Sequence, residues 1–156
     1  MTNAKRKIVV VDDEPLIRMG TADTLRDGGF EVLEANNASD ALCPFCEGQQ
    51  VAALVSDVQM PGAITGLDLA LLIARWHPAT AVVMISGGPV PSHMPPGALF
   101  LAKPVADDTL LRTVCCAIDG KALSKPPDPS SSTQASVQEP EHVQSDDDDD
   151  GNSGHP

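Results

Sequence analysis

The chain has 156 residues and a formal net charge of −12 at pH 7. The length fits one domain of ordinary size, and so negative a charge, without a local basic patch, argues against nucleic acid and anionic membrane surfaces as partners. The basic start at Lys5 to Lys7 precedes only four apolar residues, too few for a signal-peptide core or a membrane span, so we expect a cytoplasmic location.

The residues from 124 onward differ in composition from the rest. They include no Trp, Phe, Leu, Ile or Met and are rich in Ser, Pro and Asp, with five aspartates in a row at 146–150. Such a segment cannot bury enough apolar surface to offset the entropy of ordering. We therefore predict a folded domain over residues 5–123 and a disordered acidic tail over 124–156. Solubility is the expected role of this tail, and binding of cations or a basic partner is the alternative.

The first half of the folded part has the pattern of two βα units. A buried strand over 8–11 leads to a helix that begins near Pro15, a residue suited to a first turn, and ends at a glycine pair. Residues 30–35 alternate apolar and glutamate side chains, which predicts a half-exposed strand at an edge of the sheet. Asn37 can cap a second helix, which Pro44 should shorten or kink.

The second half continues the alternation but lacks one helix. The segment 87–97 holds four prolines and three glycines, so we expect an irregular loop with at most one turn where a helix would connect the last two strands. The other expected elements are, in chain order, a strand over 51–56, a helix over 67–76, strands over 81–85 and 98–102, and a helix from Asp107, as its cap, to Gly120.

Polar residues stand at the ends of the four most apolar strands. They are Asp12, Asp13, Asp57, Ser86 and Lys103. The carboxyl ends of strands in an open parallel sheet line the ligand crevice, so these five side chains should converge. Magnesium prefers hard oxygen ligands, and an ammonium group can hold a phosphoryl oxygen. The set therefore predicts a magnesium-dependent phosphoryl site.

The four segments VVVDDEP, LVSDVQMPG, ISGG and FLAKP, in this order and at these intervals, resemble the receiver domain of bacterial response regulators, the CheY-like family. The resemblance covers residues 5–123. It implies a three-layer α/β/α, flavodoxin-like fold, with a doubly wound parallel sheet of five strands in the order 2-1-3-4-5. The fourth helix of that fold would be short or replaced by the Pro/Gly-rich loop.

The same resemblance assigns the acidic residues. It implies that Asp57 accepts a phosphoryl group from the phosphohistidine of a histidine kinase or a histidine phosphotransfer protein. Mg²⁺ would be held by Asp13 directly, by Asp12 through water, by Asp57, and by the backbone carbonyl of Gln59. The cation would also relieve the repulsion among three crowded carboxylates.

The remaining site residues are assigned in the same way. Lys103 would pair with Asp57 and later hold a phosphoryl oxygen, and the peptide bond before Pro104 is commonly cis in the family. Ser86 and Phe100 would form a switch, in which the hydroxyl moves to the phosphate and the aromatic ring rotates inward.

Plainer interpretations exist for several of these residues. Phe100 can be an ordinary core residue, and Ser86 can be a strand-end cap. Asp13 or Glu14 can cap the first helix in a solvated loop. That last interpretation explains one acid but not two acids at one strand end with Asp57 at another.

Several functions compete at this stage. The chain has no GxxxxGK[ST] loop, which argues against a nucleotide hydrolase. A dehalogenase-type phosphatase would need an aspartate two residues after its nucleophile, whereas Glu14 stands two residues after Asp12. The resemblance implies a single-domain response regulator that signals to a downstream protein target or relays the phosphoryl group. It would not be an enzyme in the usual sense, since it would catalyse only its own phosphorylation and dephosphorylation. The alternative is a phosphorylation-independent adaptor that binds through its surface, its acidic tail or its CxxC.

The four cysteines lie in two pairs. Cys43 and Cys46 form a CxxC, which can be a redox pair or half of a zinc site without a visible second half, and Cys115 and Cys116 are adjacent in a helical segment. Without an export signal, reduced thiols are expected. We expect buried or incidental thiols.

Overall fold

The computed structural model describes residues 4–123, so the predicted disordered tail lies outside the described residues. Strands and helices alternate through the described part of the chain as far as the fourth strand, which is followed directly by the fifth. The elements are β1 (Lys7–Val11), α1 (Pro15–Asp27), β2 (Glu31–Ala35), α2 (Ala38–Cys46), β3 (Ala53–Asp57), α3 (Gly66–Trp76), β4 (Ala81–Ser86), β5 (Leu99–Ala102) and α4 (Asp107–Leu123). Within this range no helix combines the length and the apolar character needed to cross a membrane.

The five strands form one parallel sheet in the order β2-β1-β3-β4-β5. This confirms the predicted fold, including the edge position of β2. The central strands β3 and β4 are buried along their whole length, as their continuous apolar runs predict. β2 and β5 lie at the two edges and are partly exposed.

Two apolar layers, one on each face of the sheet, hold the fold together. Alternate strand residues such as Val10 and Val83 pack with residues of α1 and α4, and the residues between them, such as Val9 and Met84, pack with α2 and α3. Successive side chains of a strand point to opposite faces, so every buried strand supplies both layers. The result is the predicted three-layer α/β/α arrangement.

The second helix is short, as predicted. The Asn37 side chain accepts a hydrogen bond from the Asp40 N–H at 2.8 Å, which satisfies one of the N–H groups at the helix start. Pro44 lies inside the helix, which spans nine residues.

Two details of the last helix differ from the prediction. Asp107 is its first helical residue and not its cap, because the Leu110 N–H donates to the carbonyl of Ala106 at 2.9 Å. The Asp107 carboxylate instead accepts a hydrogen bond from the Thr24 hydroxyl of α1 at 2.9 Å. The helix also continues through Gly120 to Leu123. A glycine in a helix interior costs about 1 kcal/mol relative to alanine, which packing against the sheet can outweigh.

No helix connects β4 and β5, as predicted. The described loop over residues 87–98 contains turns and bends only. Met94 and Ala98 pack, together with Phe100 of β5, against the apolar layer on the α2 and α3 face of the sheet. A loop therefore covers this corner of the sheet.

Candidate functional site

Three carboxylates meet at the carboxyl edge of the sheet. Asp12 directly follows β1, Asp57 ends β3, and Asp13 lies beside Asp12. Each residue offers a carboxylate oxygen, and these oxygens lie within 4.8 Å of one another. Asp12 and Asp57 are buried and Asp13 is exposed. The cluster thus opens to solvent on one side.

Both oxygens of the Asp57 carboxylate have hydrogen-bond donors. Oδ1 accepts from the Gln59 N–H at 3.1 Å, and Oδ2 accepts from Lys103 Nζ at 2.9 Å. These contacts fix the orientation of a side chain that is only 8% exposed. The carboxylate is therefore held in one orientation.

Lys103 supplies positive charge to the site. Its ammonium group lies 2.9 Å from Asp57 Oδ2 and 3.4 Å from Asp12 Oδ2. Burial acts to lower the pKa of Lys103, but the hydrogen bond to Asp57 and the charges of Asp12 and Asp57 outweigh it, so that the pKa lies above its ordinary value. Three carboxylates and one ammonium leave an excess of two negative charges.

The donor set of the cluster fits a hard divalent cation. Carboxylate and carbonyl oxygens are the ligands that Mg²⁺ prefers, and Mg²⁺ keeps several waters, which the exposure of Asp13 permits. Among the described residues, Asp12, Asp13 and Asp57 are the one group of three or more histidine, cysteine or carboxylate side chains close enough to share an ion.

Asp12 also organises the start of α1. Its Oδ1 accepts from the Glu14 N–H at 2.9 Å, and its carbonyl accepts from Arg18 Nη1 at 2.9 Å. Glu14 occupies the N-cap position without a capping bond from its side chain. Asp12 therefore holds this turn, and not a capping side chain of Asp13 or Glu14 as in the plainer interpretation.

Ser86 lies at the end of β4, as expected, and Phe100 lies inside β5. The buried Ser86 ends β4, and its hydroxyl accepts a hydrogen bond from the Gly88 N–H at 3.0 Å. Lys103 is held beside it, because the Lys103 N–H donates to the Ser86 carbonyl at 2.9 Å. Phe100 lies opposite Met84 in the sheet register and is partly buried. The Lys103–Pro104 peptide bond is cis.

One structural feature of the site escaped the sequence analysis. Gly66, the first residue of α3, lies so close to β3 that a Cβ there would be 1.6 Å from the Asp57 carbonyl oxygen. A capping box fixes this helix start: the Asp68 N–H donates to Thr65 Oγ1 at 3.1 Å, and the Thr65 N–H donates to Asp68 Oδ2 at 3.0 Å. The pattern Thr-x-x-Asp before an apolar run was a readable signal.

A groove of about 560 Å³ adjoins the carboxylate cluster. It runs between α1 and α4, with Asp12 and Lys103 at one end and mainly apolar walls that include Leu16, Ile17 and Leu110. Leu16 is 84% exposed. An exposed apolar surface of this kind can bind a protein partner.

The cysteine prediction was wrong in part. Cys43, Cys46 and Cys116 are exposed and Cys115 is partly exposed, whereas buried thiols were among the expectations. In α2 the buried positions between the two cysteines are occupied by Pro44 and Phe45. The cysteines therefore flank the apolar face of the helix and do not form part of it.

Comparison with known proteins gives the same fold. A family model, the response regulator receiver domain, matches residues 8–114. The C4-dicarboxylate transport transcriptional regulatory protein DctD of Pseudomonas aeruginosa is 31% identical over 126 residues, 78% of this chain and 27% of that protein. A receiver domain protein from Clostridium thermocellum is 28% identical, with a TM-score of 0.65 over 76% of this chain and 98% of its own. The receiver domain of the hybrid histidine kinase CckA is 37% identical, with a TM-score of 0.62 over 72% and 98%.

The chain belongs to the response regulator receiver domain family of two-component systems. Receiver domains in these systems interact with histidine kinases. The chain spans only 27% of the length of DctD, so this match defines a receiver domain and not the activity of the longer protein.

Proposed function

We propose that this receiver domain accepts a phosphoryl group on Asp57 from the phosphohistidine of a histidine kinase or a histidine phosphotransfer protein, in a magnesium-dependent reaction. The observation that carries the proposal is the placement of the buried Asp57 carboxylate between the Lys103 ammonium at 2.9 Å and the carboxylates of Asp12 and Asp13. Phosphoryl transfer depends mainly on positioning and on stabilisation of charge, and this arrangement supplies both.

The residues have separate roles in the proposed reaction. An oxygen of Asp57 attacks phosphorus, the phosphorus–nitrogen bond of the phosphohistidine breaks, and the electron pair returns to the imidazole. Lys103 stabilises negative charge on the phosphoryl oxygens. Asp12, Asp13, Asp57 and the backbone carbonyl of Gln59 would hold Mg²⁺. When bound, the cation neutralises charge on the phosphoryl group and the repulsion among the carboxylates.

The proposed output is a local switch. Ser86 accepts a hydrogen bond from Gly88, and it can exchange this contact for one that it donates to a phosphoryl oxygen on Asp57. Phe100 lies on the neighbouring strand and is partly buried, and its ring would rotate inward when the Ser86 hydroxyl moves. Ser86→Ala should still accept the phosphoryl group but should no longer increase its affinity for a downstream protein on phosphorylation.

The groove between α1 and α4 is the proposed contact surface for the phosphodonor protein. Leu16→Gln should therefore slow phosphorylation by a phosphohistidine protein and leave phosphorylation by acetyl phosphate unchanged, because the small donor needs no protein contact. An equal loss with both donors would place the effect in the reaction centre and overturn this assignment.

A second function has one observation in its favour. The described loop over 87–98 replaces the helix between β4 and β5, and the family's phosphorylation-dependent output usually involves that helix. A receiver without it can act as a phosphorylation-independent adaptor. The two functions differ in the response to Asp57→Asn, which should abolish phosphorylation-dependent partner binding but leave an adaptor's binding intact.

The proposed reaction is tested by intact mass after incubation with acetyl phosphate. The wild type should gain one phosphoryl group in the presence of Mg²⁺ and none in EDTA, and the isosteric variant Asp57→Asn should gain none in either. A gain in Asp57→Asn equal to that of the wild type would exclude Asp57 as the acceptor.

A further inference from the structure

The CxxC of α2 is a pair of accessible thiols on one side of a helix. Cys43 and Cys46 are both exposed, and the two residues between them, Pro44 and Phe45, are buried. Residues three apart in an α-helix lie on the same face. The two thiols are therefore neighbours on the solvent side of the last turn of α2.

The helix geometry brings the two cysteines within disulfide range. An α-helix places Cα atoms three residues apart at about 5 Å, inside the range of about 4.4–6.8 Å that disulfides span. Side chains of a helix lean toward its N-terminus, so the side chain of Cys46 leans over the turn of Cys43. Cys43 Sγ now contacts the Ser39 carbonyl at 3.7 Å, a weak interaction that rotation of the side chain would exchange for the sulfur of Cys46.

Pro44 removes one hydrogen bond from this turn. Because proline has no N–H, the hydrogen bond from residue 44 to the carbonyl four residues earlier is missing inside the helix. Cys46 is the last residue of α2 and Glu47 follows as the cap. The last turn of α2 therefore lacks one internal hydrogen bond, while the carbonyls of its last residues accept from the N–H groups that follow the helix.

We propose that Cys43 and Cys46 are a reversible modification site, which low-molecular-weight disulfides such as oxidised glutathione convert to an intramolecular disulfide. One cysteine thiolate attacks a sulfur of the glutathione disulfide and releases a glutathione thiolate. The second cysteine thiolate attacks the protein sulfur of this mixed disulfide and releases the other glutathione thiolate. Two electrons pass from the protein dithiol to glutathione, and the two thiol protons pass to the solvent. This proposal does not depend on the proposed phosphorylation.

The chain contains its own control pair. Cys115 and Cys116 are adjacent in α4, where successive side chains point about 100° apart around the axis because a turn holds about 3.6 residues. Cys115 also packs against the apolar layer under α1 and α4. These thiols should not form a disulfide with each other while the helix is intact.

Two double variants of the full chain test the inference. Each is incubated with oxidised glutathione, alkylated and measured by intact mass without reduction. The variant with Cys115→Ser and Cys116→Ser retains only the CxxC. It should lose two hydrogen atoms, retain no glutathione and resist alkylation, and dithiothreitol should restore the thiols of Cys43 and Cys46. In the variant with Cys43→Ser and Cys46→Ser, the thiols of Cys115 and Cys116 should remain alkylatable or carry glutathione.

The single variants Cys43→Ser and Cys46→Ser test whether release of glutathione requires both thiols. Each should retain one glutathione on its remaining CxxC thiol, because no second thiol is present to release it. The inference is overturned if the chain with both Cys43 and Cys46 carries stable glutathione on these residues, or if both thiols stay alkylatable while glutathione modifies Cys116.

Discussion

Charge governs the behaviour of the individual side chains in the site. Asp12, Asp13 and Asp57 share one small volume, and Lys103 forms ion pairs with the two buried members. The two excess negative charges repel one another in the metal-free protein and attract a cation. Removal of one carboxylate should therefore lower the affinity for the metal and raise the stability of the metal-free fold.

Asp13→Asn tests this opposition. In EDTA the variant should be more stable than the wild type by up to about 1 kcal/mol, because an exposed like charge is removed. Mg²⁺ at a hundredfold excess over its dissociation constant should stabilise the wild type by about 2.7 kcal/mol, and the variant by less at the same concentration. Urea unfolding with and without Mg²⁺ measures both effects.

Asp27→Asn is the matched control for this experiment. Asp27 is exposed at the end of α1, so the substitution changes the net charge equally without touching the cluster. Its Mg²⁺-dependent stabilisation should equal that of the wild type. A full Mg²⁺ effect in Asp13→Asn would mean that Asp13 is not a ligand.

At the scale of secondary-structure elements, the start of α3 lies directly against the end of β3, which carries Asp57. Gly66 lets the helix begin against the end of β3, and the capping box of Thr65 and Asp68 fixes that start. The hydrogen bonds from the backbone and hydroxyl of Thr65 lower the pKa of the Asp68 carboxyl. This helix start should therefore be sensitive both to side-chain volume and to acid.

Gly66→Ala should destabilise the fold by about 1–3 kcal/mol and slow phosphorylation of Asp57. The new methyl group would overlap the backbone carbonyl of Asp57, which cannot move aside as a flexible side chain can. Gly20→Ala is the control: a Cβ at Gly20 has no neighbour within 4 Å, and alanine in a helix is favoured by about 0.5–1 kcal/mol over glycine. Urea unfolding and acetyl phosphate kinetics are the measurements. Equal stability changes in the two variants would contradict the close approach.

Asp68→Ala should show a pH-dependent loss of stability. A folded-state pKa below the unfolded value of about 3.9 stabilises the fold above that pH, and this contribution disappears as the pH falls through the folded-state value. The difference in unfolding free energy between wild type and variant should thus be largest near neutral pH and shrink in acid. In a Thr65→Ala background, which removes the hydroxyl but keeps the backbone N–H donor, the difference should still vary with pH but by less than in the wild-type background. A difference that stays constant from neutral pH to acid in the wild-type background would rule out this role for Asp68.

On the scale of the whole molecule, the strands could be predicted because burial leaves a direct trace in the sequence, whereas their order was what the resemblance to receiver domains implied. The continuous apolar runs of β3 and β4 and the alternating run of β2 identified the central and edge strands. Polar residues at the strand ends then located the site, since parallel strands share one carboxyl edge. The proline-rich segment before β5 likewise marked the missing helix.

The features that escaped prediction depend on packing between elements distant in sequence. Gly66 looks like any loop glycine until the backbone of β3 is placed beside it. Gly120 resembles a helix end, but α4 continues through it to Leu123. The exposure of Cys43 and Cys46 depends on which side of α2 faces β1 and β2, which the short helix does not reveal by periodicity.

Identification of the modified residue tests the central claim most directly. The protein is incubated with acetyl phosphate and Mg²⁺ and treated with borohydride, which reduces an aspartyl phosphate to homoserine, and its peptides are then sequenced by mass spectrometry. We predict homoserine at position 57, dependent on Mg²⁺. Homoserine at position 12 or 13, or none at all while a control receiver domain is labelled under the same conditions, would contradict Asp57 as the phosphoryl acceptor.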